Sequence, residues 1–381
     1  MRAAVALAVS LAIAGCISSA ATPDAIEAAS VTTDGDCLRM LAGVDLQTAT
    51  IADLQDALDA GTITSVELVD AYLARIDAYD HAGPLLNSIQ LTDPDVRAKA
   101  AALDAERAAG NVRGPLHGIP ILLKDNVDTS DMPTTAGSIA LAENVPRADS
   151  FLTAKLRESG AIILGKAQLS EFAHWRGLTI PSGWSSLGGQ VVNAYTGGDP
   201  SGSSSGSGVA ASMAFASATI GTETSGSILS PSNANSVVGV KPTTGLISRT
   251  GIIPIAASFD TAGPMTRHVL DAALVLGAVA GPDPADPRTA ESAANMPPNG
   301  DYTAFLSTDA LQGVRLGYKA SGNQLFNRAL EDLEALGAEL VPIETNDAEE
   351  VSLTEIPLLF NEFKFGLNVY LAKFAADGLP V

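Results

Sequence analysis

Histidine is almost absent from this chain. Its 381 residues carry four, His81, His117, His174 and His268, scattered without ligand spacing. Imidazole-based metal chemistry is therefore poorly supported, and neither a metal nor another cofactor is expected. Cysteine is rarer, with only Cys16 and Cys37. Cys37 lies in a polar stretch whose one basic neighbour is Arg39, a poor setting for a catalytic thiolate. Positive charge is also short: 22 basic residues face 43 acidic ones, a formal net charge of −21. Such a surface repels phosphate backbones and anionic headgroups, which argues against nucleic-acid binding. No Gly-Lys-Ser/Thr ends a glycine-rich segment, so a Walker-type phosphate loop is excluded. There is no internal repeat.

The N-terminus has the pattern of a processing segment. Arg2 supplies a short positive end, and Ala3 to Ala14 is apolar but too short to span a bilayer. Ile13-Ala14-Gly15-Cys16 resembles a bacterial lipobox, with small residues before a cysteine that is lipidated after cleavage. We expect residues 1–20 to be a signal peptide, cut before Cys16 or near Ala20. The expected location is then outside the cytoplasm, in the periplasm, with a lipid anchor at Cys16 on the outer membrane. Removal or acylation of Cys16 leaves Cys37 alone, so no intrachain disulfide is expected. Residues 21–47 form a tether, and residues 48–381 form the folded domain.

Within that domain helical patterns come first. Thr50 precedes Ile51, Leu54 and Leu58, and Thr64 with Glu67 makes a capping box before the stripe Val69, Tyr72, Leu73 and Ile76. A third helix is expected from about Pro94 to Ala109. From residue 117 short apolar runs alternate with helices. Strands are expected at Ile119–Leu123, Ala161–Leu164, Ala216–Ile220 and Val237–Lys241. Helices are expected at Ser150–Ser159, Ser207–Ala214 and Val269–Ala280. Gly313–Tyr318, a helix over Asn323–Leu336 and Glu339–Ile343 form a further strand–helix–strand unit, and a last helix runs from about Ser352 past Leu371. The alternation implies an α/β fold with a mixed or parallel sheet covered by helices on both faces.

The chemistry lies in two loops that carry both glycine and serine. The first is Gly202-Ser203-Ser204-Ser205-Gly206-Ser207-Gly208 and the second is Gly221-Thr222-Glu223-Thr224-Ser225-Gly226-Ser227. Upstream, the apolar run Ile119-Pro120-Ile121-Leu122-Leu123 ends in Lys124. Glycine lets backbone amides crowd a reacting atom, serine offers a nucleophile, and a desolvated lysine can serve as a base. Those are the parts of a hydrolase that needs neither histidine nor metal. Gly202-Ser203-Ser204-Ser205-Gly206 also satisfies G-x-S-x-G, the nucleophile elbow of α/β-hydrolases, with Ser204 at its centre. An elbow needs an acid and then a histidine downstream. Only His268 follows, so the match is attributed to composition.

Several blocks together resemble the amidase signature family. They are Gly114-Pro115-Leu116-His117-Gly118-Ile119-Pro120, Leu164-Gly165-Lys166, Ser170-Glu171-Phe172-Ala173 and the two loops. Val238-Gly239-Val240-Lys241-Pro242-Thr243 and Asp260-Thr261-Ala262-Gly263-Pro264-Met265 complete the set. The similarity runs from about Thr50 to Phe374, and Gly-Thr-Glu-Thr before the second loop is most like the bacterial peptide-amidase branch. The resemblance implies the amidase signature fold, a large mixed sheet with helices on both faces, here truncated at the C-terminus.

It also implies a Ser–cis-Ser–Lys triad: Ser227 as nucleophile, Ser203 as relay after a cis bond from Gly202, and Lys124 as a neutral base. Backbone N–H groups of Thr224, Ser225 and Gly226 would form the oxyanion hole. Lys166 and Lys241 have settings similar to that of Lys124, and the resemblance alone selects Lys124. Glu171 and Asp260 are expected to be structural acceptors, while Trp175 and Arg176 either line the cleft or cap it. Ser225, Leu229 and Phe259 depart from residues common elsewhere in the family.

The implied activity is hydrolysis of a carboxamide C–N bond through an acyl-enzyme, with a small amide or C-terminal peptide amide as substrate. An aryl- or fatty-acyl-amide hydrolase and a non-catalytic relic remain as alternatives. Membership of a tRNA-dependent amidotransferase complex is opposed by the export signal and the acidic charge.

Overall fold

The computed structural model describes residues 38–175, 177, 179–344 and 347–379. The proposed leader, Cys16, Cys37 and Arg176 lie outside the described residues.

Two short helices open the domain, α1 (Ile51–Asp59) and α2 (Ser65–Arg75). Both begin in capping boxes. Thr64 Oγ1 accepts the Glu67 amide at 3.1 Å, and the Glu67 carboxylate accepts the Thr64 amide at 2.9 Å. The expected stripes are core: Ile51, Leu54 and Leu58 on α1 are buried, as are Val69, Tyr72 and Ile76 on and just after α2, while Leu73 is half-buried against them. Next come β1 (Ile89–Thr92), α3 (Val96–Ala108), β2 (Pro120–Lys124), α4 (Phe151–Glu158) and β3 (Ile162–Ala167). The chain continues through α5 (Ser205–Ser212), β4 (Ala218–Glu223), α6 (Leu229–Ala234), β5 (Val238–Gly239), β6 (Thr261–Thr266) and α7 (Val269–Val279).

Six of these strands form one mixed sheet in the order β1-β3-β2-β4-β6-β5. The three central strands β3, β2 and β4 are parallel, and β1, β6 and β5 join antiparallel. Every residue of β2, β3, β4 and β6 is buried, so both faces of the sheet are covered. The small-residue helix α5 lies across β3, β2, β4 and β6. Its glycines permit that approach: a side chain at Gly206 would collide with the backbone of Gln168.

Strands β1 and β6 were not anticipated, and β3 continues past its expected end to Ala167. In β6, Pro264 has no N–H for a ladder. Its carbonyl still accepts the Val240 amide at 3.0 Å, which joins β5 to β6. β4 also runs later than expected, to Glu223, and so delivers its end directly to the second serine loop.

Beyond the sheet, β7 (Arg315–Tyr318) and β8 (Glu339–Pro342) pair in parallel around α8 (Gln324–Ala335), apart from the central sheet. The long α9 (Asp347–Lys373) then returns to the main body. It packs through Leu359, Phe360 and Tyr370 against the loops at the carboxyl ends of the central strands.

Candidate active site

Parallel strands present their carboxyl ends as a rim where ligands bind in open α/β sheets. Here that rim carries Lys124 at the end of β2 and Glu223 at the end of β4. Lys124 is fully buried, Ser203 is 1% exposed and Ser227 is 8% exposed. Lys124 Nζ donates to Ser203 Oγ at 2.9 Å and to the Thr222 carbonyl at 3.1 Å. The Gly202–Ser203 peptide bond is cis. Ser203 and Ser227 line one cavity of about 230 Å³, with Thr224, His174, Trp175 and Leu359 among its walls.

Burial pushes the Lys124 amine down to about 7, because the charged form loses its hydration. Asp260 and Glu223 oppose that shift through their negative charge. A substantial share of the amine is therefore neutral near pH 7, as a base requires. Lys166, the competing lysine, is equally buried but differently committed. Its Nζ donates to the Val127 carbonyl at 2.7 Å and to Thr134 Oγ1 at 2.8 Å, and burial lowers its amine while the carboxyls of Asp125 and Asp128 oppose that shift. Lys241 donates to the Pro242 carbonyl at 3.2 Å and is only half-buried. Among the three lysines, Lys124 alone has a serine hydroxyl partner.

The second loop owes its shape to Glu223, whose part no sequence motif announces. Its carboxylate accepts the amide of Gly226 on Oε1 at 2.9 Å and those of Ile228 and Leu229 on Oε2 at 2.7 and 2.9 Å. This corrects one expectation. The Gly226 N–H is turned toward Glu223, in a turn where Gly226 takes φ +79°, and is not free to meet a substrate oxygen. Thr224 is fixed by its hydroxyl, which donates to Asp260 Oδ1 at 2.5 Å. Ser225 is exposed at the mouth of the loop.

Asp260 is a structural acceptor, as anticipated, taking the amides of Ile255 and Ala256 at 2.9 Å. Burial lifts its carboxyl to about 6. Glu171 accepts the Ser186 amide at 2.8 Å. Ser204, the centre of the false elbow, is fully buried; its Oγ donates to the Thr222 carbonyl at 3.0 Å and accepts the Thr222 amide at 3.2 Å. It straps α5 to β4 and does not line the cavity shared by Ser203 and Ser227. Phe259 packs into the small cluster of Leu169, Ile255 and Leu359, so its apolar character has a packing reason. Phe172, Ala173 and His174 take φ of 48°, 54° and 79°, a left-handed run beside the cavity that no glycine announces in the sequence.

The model of the amidase family matches residues 67–374. The chain belongs to that family. The crystal structure of native peptide amidase from Stenotrophomonas maltophilia superposes with a TM-score of 0.82 at 47% identity, over 85% of this chain and 68% of that one. A probable amidase of Arabidopsis thaliana is 41% identical over 351 residues, 88% of this chain and 67% of the relative. A glutamyl-tRNA(Gln) amidotransferase component of Geobacter sulfurreducens is 40% identical over 79% of this chain and 61% of its own length. This member of the family thus spans about two thirds, or less, of the length of these relatives.

Proposed function

We propose that this amidase family member hydrolyses the C–N bond of a small carboxamide, a C-terminal peptide amide in the favoured case, through an acyl-enzyme on Ser227. The observation that carries the reading is the hydrogen bond from a buried Lys124, held near neutrality, to Ser203 in a cavity that also opens on Ser227. Ser227 Oγ attacks the carbonyl carbon while its proton passes to Ser203, whose own proton passes to the neutral Lys124. The tetrahedral oxyanion is met by backbone amides of the loop that leads to Ser227, those of Thr224 and Ser225 in this reading. Collapse breaks the C–N bond, and the proton returns through Ser203 to the leaving amine. Water then attacks the Ser227 ester by the same relay and releases the acid.

The similarity to a peptide amidase supports the substrate class. A serine-directed fluorophosphonate should label wild-type protein at Ser227 and leave Ser227→Ala unlabelled. Ser227→Ala and Lys124→Ala should each lower kcat by at least about 10³-fold with near-native circular dichroism. Full turnover by either variant would refute the roles assigned here.

We also place the protein outside the cytoplasm, held by lipid on Cys16. The lipobox-like Ile13-Ala14-Gly15-Cys16 supports this. Incorporation of a fatty-acid analogue that is unchanged in Cys16→Ser would sink it.

A further inference from the structure

A second cavity, of about 310 Å³, adjoins the one that holds Ser203 and Ser227. The two share Ala173, Thr224 and Ile255 in their walls. Thr224, which begins the loop that leads to Ser227, borders both chambers. Much of the remaining wall is apolar, from Ile253 and Pro254 and from Phe365, Val369 and Phe374 on and just after α9.

Several polar side chains that border this chamber are engaged with one another, while Lys373 stands exposed on its wall and Asn126 Oδ1 is buried without a hydrogen-bond partner. Arg249 donates from Nε and Nη2 to Asp286 at 2.8 and 2.5 Å, and from Nη1 to the Ala257 carbonyl. Asp260 holds Thr224 and two backbone amides, and the Asn126 amide nitrogen donates to Thr222 Oγ1 at 3.0 Å. The volume is at the lower end for ligand pockets, room for one side chain and not for a long acyl tail.

We propose that this chamber selects the acyl-side residue of the amide, favouring an apolar side chain of leucyl to phenylalanyl size over glycyl. The inference rests on the reading of Ser227 as the nucleophile. Val369, half-buried on α9, is the residue through which the selection is set.

The test compares kcat/KM for N-acetyl-phenylalaninamide and N-acetyl-glycinamide in wild type and in Val369→Trp, which fills the chamber. Wild type should favour the phenylalanyl over the glycyl substrate by at least about tenfold, and Val369→Trp should remove most of that ratio. A binding arm uses ethylbenzene alone: it should raise the melting temperature of wild type and not that of Val369→Trp. A wild-type ratio near one, or a ratio that Val369→Trp leaves in place, overturns the inference while amide hydrolysis stands. If wild type cleaves neither amide, the hydrolase reading falls instead, and ethylbenzene decides alone. Equal stabilisation of the two proteins, or of neither, then overturns the chamber.

Discussion

Lys124 sets the pH behaviour of the site, because only its neutral form can take the proton relayed from Ser227. With its amine at about 7, kcat/KM should rise with pH through a midpoint near that value. Asp260 and Glu223 hold the charged form in place by Coulomb attraction. Removing one negative charge therefore lowers the lysine further, and the acid limb of Asp260→Asn should shift to lower pH. A pH–rate profile of the two proteins checks this, and a limb displaced upward would contradict the assigned electrostatics. The same residue could not be chosen from sequence physics alone. Lys166 also ends an apolar run, and both lysines prove to be fully buried. What separates them is their partners, Ser203 for one and the neighbourhood of Asp125 and Asp128 for the other. Ser203 lies 79 residues from Lys124, and Val127 and Thr134, which hold Lys166 beside those carboxyls, lie 39 and 32 residues from it, beyond the reach of local pattern.

Elements were legible where their signal was local. The capping box of Thr64 and Glu67 and the apolar run ending at Lys124 announce α2 and β2 from a few neighbouring residues. β6 was hidden because Gly263 and Pro264 speak against a strand, yet both are buried in the sheet, where β4 and β5 flank them. The loop after β4 was legible as a glycine–serine segment, but its fold depends on a three-amide clasp by Glu223 that no spacing reveals. Glu223→Gln keeps the shape and replaces one acceptor oxygen with an N–H₂ group that cannot receive two amides. The expected loss is about 1–3 kcal/mol of loop order, with kcat falling by up to about 10²-fold as Ser227 drifts from register. Melting curves and kcat on one amide would show it; a variant with wild-type kcat would mean the clasp does not position the nucleophile.

At the scale of the whole molecule, α9 is fastened over the active-site rim by a buried polar contact. The Tyr370 hydroxyl donates to Asp128 Oδ1 at 2.7 Å and accepts from Asn144 Nδ2 at 3.1 Å. Burial lifts Asp128 to about 7 and Asp125 and Asp260 to about 6, each above its ordinary carboxyl value. A raised carboxyl binds its proton more tightly folded than unfolded. Its contribution is fully present below about pH 4 and is lost as pH rises through 6 to 7. Lys124 has the opposite shift: its burial cost is constant below about 7 and is relieved only between 7 and its unfolded value near 10.5. The surface carboxylates held low by partners, such as Asp53 and Asp131, act below this window. The melting temperature should therefore fall between pH 5 and pH 7 and recover at higher pH as the lysine discharges. Tyr370→Phe removes the donor that Asp128 relies on once ionised, so it should cost more at pH 8 than at pH 5, by about 1–3 kcal/mol at the upper end. Thermal unfolding of both proteins across that range measures the difference directly. An equal loss at the two ends would mean that ionised Asp128 draws nothing from the helix that covers it.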